Sequence, residues 1–179
     1  LPSTKLQDLL AAEVAMAGFT EVMTFILCSK ADNAETLHRK PCGTDISLLN
    51  SKTVEFQTAR TTLLTGLLRC VANNKAAPMP IRIFEIGDCV VKDETTPVGA
   101  RNSRHLCAVI CGAATSGFDQ LHGLLDRIMQ VLGVPSLLTP KGKSDAKKAY
   151  SLKSVSDPAF LQGLSAQVLV GGVPTGVLG

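Results

Sequence analysis

Apolar side chains recur every three or four residues from Leu6 to Ala17, and the spacing of Leu6, Leu9, Leu10, Val14 and Ala17 predicts a helix with one apolar face. Thr4 and Gln7 offer a capping box, and Pro2 ahead with Gly18 behind match the way helices begin and end. The pattern then changes. Glu21 to Cys28 is rich in β-branched and aromatic residues and predicts a strand, Ser29 to Asn33 the start of a short helix, and His38 to Asp45 a polar loop. A second strand is expected over Ile46 to Leu49, turned by Asn50, Ser51 and Lys52.

A second helix begins at Thr62, with Leu63, Leu64, Leu67, Leu68 and Val71 on its apolar face and Asn73 and Asn74 at its end. Gly66 inside it is a weakness of about 1 kcal/mol relative to Ala. Beyond Pro78 and Pro80, Ile81 to Val91 places apolar groups on both faces, the mark of a strand covered on both sides. Asp93 to Arg104 is expected to turn, and Leu106 to Cys111 to return antiparallel. The strongest helix is the third, where Phe118, Leu121, Leu124, Leu125, Ile128, Met129 and Leu132 recur at helical spacing, with Ser116 and Asp119 at its start and Gly133 and Pro135 at its end. Leu137 to Lys148 is expected to be irregular, and Ser165 to Gly179 to form a hairpin turning at Gly171 and Gly172. Strands outnumber helices, and their connections are too short for parallel crossovers. The expected fold is α+β, an antiparallel sheet flanked by helices, in one domain spanning residues 1–179 and truncated at its C-terminal end.

Composition sharpens this picture. Only 18% of the 179 residues are charged, against about 25% in typical domains. With a mean hydropathy of +0.23, that points to a large buried fraction or a surface that needs a partner. Lys5, Asp8 and Glu13 interrupt the first helix, so it is expected neither to cross a membrane nor to act as a signal peptide, and a soluble intracellular protein is expected. The net charge of +3 is too small to argue for nucleic-acid binding by itself. Lys141, Lys143, Lys147 and Lys148 nevertheless cluster between Pro140 and Tyr150, either as a solvated loop or as a phosphate-contacting one.

The search for chemistry returns little. Cysteines at 28, 42, 70, 89, 107 and 111 include no C-x-x-C pair, and Cys107 and Cys111 lie roughly 13 Å apart on a strand, so buried reduced thiols are expected rather than zinc or disulfides. Gly171, Gly172, Gly176 and Gly179 are spaced for turns, without the Lys-Ser/Thr pair of a phosphate loop. His38, His105 and His122 stand apart from any nucleophile motif, and His122 with Asp126 reads as a surface helix pair. Arg82 and Glu85, three apart on a strand, face opposite sides of the sheet, so each is expected to find other partners.

Asn50 to Val90 carries R-T-T-L-L-T-G-L-L, a downstream Asn and I-F-E-I-G in that order. This run resembles the centre of the β subunit of phenylalanyl-tRNA synthetase, where R-T-x-L-L-P-G-L-L and L-F-E-I-G follow one another. The opening segment Leu1 to Phe25 resembles the family's preceding segment, and Arg104 to Val109 and His122 to Gln130 are similar to the eukaryotic and archaeal type. The resemblance implies a class II synthetase core-like fold in a subunit that has lost catalysis. Phe84-Glu85-Ile86-Gly87 stands where an active core has Phe-Arg-x-Glu, so Glu85 takes the place of the ATP-gripping Arg. Thr65 replaces the family's Pro, and Gln162-Gly163-Leu164 replaces Pro-Gly-Arg.

The resemblance further implies assembly with an α subunit into a cytoplasmic α2β2 heterotetramer that forms phenylalanyl-tRNA for translation. It implies no catalytic, cofactor or metal residue in this segment, whereas the complete enzyme uses ATP and magnesium and binds tRNA-Phe. The first helix and the strand after it correspond to motif 1, the dimerising element. Its interface candidates are Leu6, Leu9, Leu10, Ala12, Val14 and Met16, with Ala12 and Met16 on the flank turned from the sheet. One alternative is an active synthetase or ligase domain with ATP in the sheet, against which Glu85 argues; the other is a free-standing pseudo-synthetase, or an RNA-binding module using Lys141 to Lys148.

Overall fold

A computed structural model describes residues 3–112 and 117–179. The fold is α+β, and in place of one antiparallel sheet the described residues form three sheets, two antiparallel and one mixed, with helices beside them, in two compact units, residues 19–113 and residues 1–18 with 114–179. Ser116, expected to cap the third long helix, lies outside the described residues.

The 19–113 unit is organised by a long hairpin, β4 (Ile81–Lys92) and β5 (Ala100–Cys111), paired without a register shift from Ile81↔Cys111 to Lys92↔Ala100. Its polar end extends the strand into the region expected to turn. Residues 100–104 pair with 88–92, and Asp93 organises the tip by accepting from the Thr95 backbone at 3.0 Å. On one face of β4, Ile81 and Ile83 pack with Leu67 of α3 (Leu64–Asn73) and with Val71, Cys107 and Val109. On the other, Phe84 and Ile86 are also buried, so β4 is covered on both sides as its apolar run suggests.

The strand expected over Glu21 to Cys28 divides in two. β1 (Thr20–Glu21) pairs parallel with β4, and β2 (Leu27–Cys28) pairs antiparallel with β3 (Thr58–Ala59). Between them the ladder is interrupted where the Thr24 carbonyl accepts from Arg60 at 3.2 Å, a side-chain bond in place of a strand neighbour. The strand expected over Ile46 to Leu49 contracts to a single bridge, Ser47↔Thr58. The short helix at Ser29 is present as α2 (Lys30–Asn33), with Ser29 and Asp32 forming a reciprocal capping box.

The other unit contains α1 (Ser3–Met16), α4 (Phe118–Val131), the single-turn α5 (Pro140–Ser144), and an antiparallel sheet of β6 (Tyr150–Ser154), β7 (Ala166–Val170) and β8 (Val173–Leu178). Helices α1 and α4 are tied by Arg127 Nε donating to Glu13 Oε2 at 2.9 Å. Met129 of α4 packs on Tyr150 and Val168, with Leu125 and Leu152 alongside. Gly171 and Gly172 turn the β7–β8 hairpin with φ of 57° and 82°, the left-handed pair that a two-residue turn requires. Strand β6 was not anticipated: Tyr-Ser-Leu-Lys-Ser has only brief alternation, and its pairing with β7 organises it.

Candidate functional site

Three residues from segments that carry the resemblance, Thr24, Arg60 and Glu85, meet in one buried cluster of the 19–113 unit. Glu85 sits on the face of β4 that bears Ile81 and Ile83, and its side chain is 4% exposed. Arg60, 6% exposed and just ahead of α3, donates to Glu85 Oε1 at 2.7 Å. Thr24, from the break between β1 and β2, donates its hydroxyl to Glu85 Oε2 at 2.7 Å. Arg60 also donates to the Asp88 carbonyl at 2.9 Å and to Thr24 Oγ1 at 3.0 Å. Both carboxylate oxygens and the guanidinium are thereby engaged within the protein, as buried charges must be.

Two glycines make this arrangement possible. A Cβ on Gly87 would lie 2.4 Å from the Arg60 guanidinium, and one on Gly66 would lie 2.5 Å from Thr24 Oγ1. Gly66 is therefore the point at which α3 comes close to Thr24, which corrects its reading as a mere weak point of the helix. The sequence expectation that Arg82 and Glu85 face opposite sides agrees with the unbroken register of β4, and Glu85 takes Arg60 as its partner.

A second polar hub lies on α2. Buried Asp32 pairs with Arg69 at 2.7 Å, and its carbonyl accepts from Thr65 Oγ1 at 2.7 Å. Thr65, the residue in place of the family's Pro, thus ties the first turn of α3 to α2. Asn33 completes the hub, donating to the Ala59 carbonyl at 3.0 Å and accepting from the Thr61 backbone at 2.9 Å.

The thiols are unpaired by disulfides, and burial pushes Cys28 and Cys89 up to about 11 and Cys107 up to about 12. Of the six thiols expected to be buried, Cys89 is buried, Cys28, Cys70, Cys107 and Cys111 are half-buried, and Cys42 is exposed. Among the described residues no group of three His, Cys, Asp or Glu side chains could hold a metal ion. His122 stacks on Phe118 and lies 3.6 Å from Asp126, whose other oxygen accepts from the buried Tyr150 hydroxyl. Asp126 therefore anchors Tyr150 of β6 as well as facing His122 along α4.

The interface candidates on α1 separate by exposure. Leu10 and Val14 are buried within the chain and Leu6 is half-buried, whereas Leu9, Ala12 and Met16 are exposed, Met16 at 65%. Sequence reasoning missed a larger apolar surface in the 19–113 unit. There Met23 (94% exposed), Phe25 (80%) and Ile26 flank β2, and Leu49, Val54 and Phe56 lie on the segment leading to β3. Phe25 and Phe56 meet edge to face at 5.8 Å, which draws the two stretches together. Isolated exposed apolar residues are ordinary, but a cluster of this kind marks an interaction surface. The available signal was the low charge content together with the run Val22 to Cys28, apolar at every position but Thr24.

The model of the phenylalanyl-tRNA synthetase β-chain CLM domain matches residues 1–179. The chain belongs to this family. Phenylalanine–tRNA ligase β subunits from Homo sapiens and Drosophila melanogaster are 47% and 45% identical to it over 99% of its length. A cytoplasmic β subunit from Arabidopsis thaliana is 41% identical over the whole chain. The chain spans about three-tenths of the length of these relatives, 29% of the human and 30% of the plant subunit. Two pyrrolysyl-tRNA synthetase structures from Desulfitobacterium hafniense superpose with TM-scores of 0.69 and 0.67 at 19% and 18% identity, covering 97% and 96% of this chain and 54% and 56% of theirs. The fold is accordingly that of the class II synthetase core.

Proposed function

We propose that this chain is a core-like domain of a phenylalanine–tRNA ligase β subunit that performs no adenylation itself and serves assembly with the α subunit, within a cytoplasmic α2β2 enzyme that charges tRNA-Phe. The observation that carries the reading is the state of Glu85. By the family resemblance it stands where an active core has the Arg that grips ATP, and both of its oxygens are committed to Arg60 and Thr24 in a buried cluster. Neither oxygen is available to a magnesium ion, and the neighbouring cation is already neutralised. These residues do not fit ATP and magnesium. The apolar side chains standing in water, Leu9 and Met16 on α1 and Met23 and Phe25 beside β2, support assembly instead.

The test is a comparison of substitutions in the full-length subunit. Met16→Asp places a charge on the exposed flank of α1, where the fold changes by no more than about 0.5 kcal/mol, while a charge in an interface core costs several kcal/mol. The variant is expected to fold by circular dichroism and to lose co-purification with the α subunit. Leu10→Asp, at a buried position, is expected to unfold. A folded Met16→Asp variant that assembles at wild-type affinity overturns the assignment of this flank, and saturable micromolar ATP binding by the chain alone overturns the non-catalytic reading.

A further inference from the structure

Residues 139–148 carry four lysines and one aspartate, a net of +3 that equals the formal charge of the entire chain. The remaining 14 of the 18 basic side chains and 14 of the 15 acidic ones cancel elsewhere. This segment, expected to be irregular, is a closed loop. Its base is fixed by Leu137 N donating to the Tyr150 carbonyl at 2.8 Å, Tyr150 N to Pro135 at 2.9 Å, and Gly171 N to Ala149 at 2.9 Å. Inside it, Thr139 caps α5 by accepting from Gly142 N at 3.2 Å, and Lys148 N donates to the Asp145 carbonyl at 3.0 Å. The backbone is packed so closely that a Cβ on Gly142 would lie 2.0 Å from the Ser136 carbonyl oxygen, and one on Gly171 would lie 2.3 Å from that of Lys147.

Lys141, Lys143, Lys147 and Lys148 all project from this pinned backbone into solvent, Lys148 remaining 80% exposed while it pairs with Asp145. Compact loops with joined ends are a common vehicle for function. We infer that the loop 137–149 is a contact surface for the phosphodiester backbone of a double-helical RNA. Lysine ammoniums are point charges suited to phosphates, and the loop contains no Arg to read a base edge by two parallel hydrogen bonds. Its neighbouring aromatic, Tyr150, is buried with its hydroxyl on Asp126, so no ring is available to stack on an unpaired base. Duplex RNA is recognised mainly through phosphates and 2′-hydroxyls, which this chemistry fits. Protein interfaces, in contrast, are depleted in lysine. The inference stands apart from the assembly reading, because RNA affinity tests one and co-purification the other.

The experiment uses the full-length subunit in the complex in which it purifies, with an unmodified tRNA transcript and an unrelated RNA duplex as probes. Fluorescence anisotropy at several KCl concentrations gives the affinity and its salt slope for the wild type and for K141Q/K143Q/K147Q/K148Q. Loss of three or so phosphate contacts is expected to weaken binding about 10- to 100-fold near 0.1 M salt and to make the logarithmic salt slope shallower by about two to three. Both probes are expected to respond alike, and the corresponding four Lys→Arg changes to retain binding. Should the quadruple variant melt early, the pairs K141Q/K143Q and K147Q/K148Q are each expected to give about half the slope change. An unchanged slope overturns the inference, as does a loss that tracks unfolding rather than the number of lysines removed. Loss of binding only to an acidic protein or to anionic vesicles, with RNA affinity intact, overturns it equally.

Discussion

Removing one member of the Arg60–Glu85 pair while leaving the other is the sharpest perturbation this fold offers. The two side chains are 6% and 4% exposed and make five hydrogen bonds with Thr24, Asp88 and each other. Glu85→Leu strands a buried guanidinium, and Arg60→Met strands a buried carboxylate. Breaking such a pair from one side costs about 3–5 kcal/mol, a large share of the ~5–15 kcal/mol that holds a typical domain together. The double variant removes both charges and leaves only the Thr24 and Asp88 groups to find water, so its cost is expected at about 1–2 kcal/mol. The coupling between the two sites then exceeds about 2 kcal/mol.

Urea unfolding of the chain followed by circular dichroism measures this cycle. With a slope of about 1–3 kcal/mol per molar, each single variant is expected to lower the midpoint by roughly 2 M, and the double variant to recover most of it. The slope itself must stay constant for the midpoint to report energy, a condition that matters for a chain made of two compact units. Two single variants that each cost less than about 1 kcal/mol and add without coupling would refute the view that this pair organises the core.

Gly66→Ala tests the close approach of α3: helix propensity alone predicts a gain of about 1 kcal/mol, whereas a Cβ 2.5 Å from Thr24 Oγ1 predicts a loss of about 1–3 kcal/mol. A rise in melting temperature would show that Thr24 moves aside freely. Asp88→Asn tests a partly exposed pair at the outer part of the hairpin, where the side-chain hydrogen bond from Arg104 holds the Asp88 carboxyl below its usual range. Because the folded value is depressed, the stabilisation is full above the ordinary carboxylate pKa of about 4 and disappears as pH falls through the folded value. The difference between wild type and variant is expected below about 1 kcal/mol at neutral pH and absent in strong acid, and a difference in urea midpoint that persists in acid contradicts it.

The sequence alone determined those elements whose signal is local. The periodicity of Leu6 to Ala17 and of Phe118 to Leu132, the apolar groups on both faces of Ile81 to Val91, and the paired glycines at 171 and 172 each specify a helix, a strand or a turn through neighbours within a few residues. Some of the same residues, in Leu1 to Phe25, Ile81 to Val90 and His122 to Gln130, carried the family resemblance. What tertiary structure decided lies in pairings between distant positions. Glu85 and Arg60 are 25 residues apart and Glu85 and Thr24 are 61 apart, and no local pattern states that these three side chains neutralise one another or that Gly66 and Gly87 are small to admit them. The division of Glu21 to Cys28 between two sheets has the same origin, since Thr24 leaves the ladder to hold Arg60. Exposure was likewise hidden. Phe25 and Val14 are both apolar in the sequence, yet one stands 80% in water and the other is fully buried, because burial depends on which segments return to cover a position and not on the position's own chemistry.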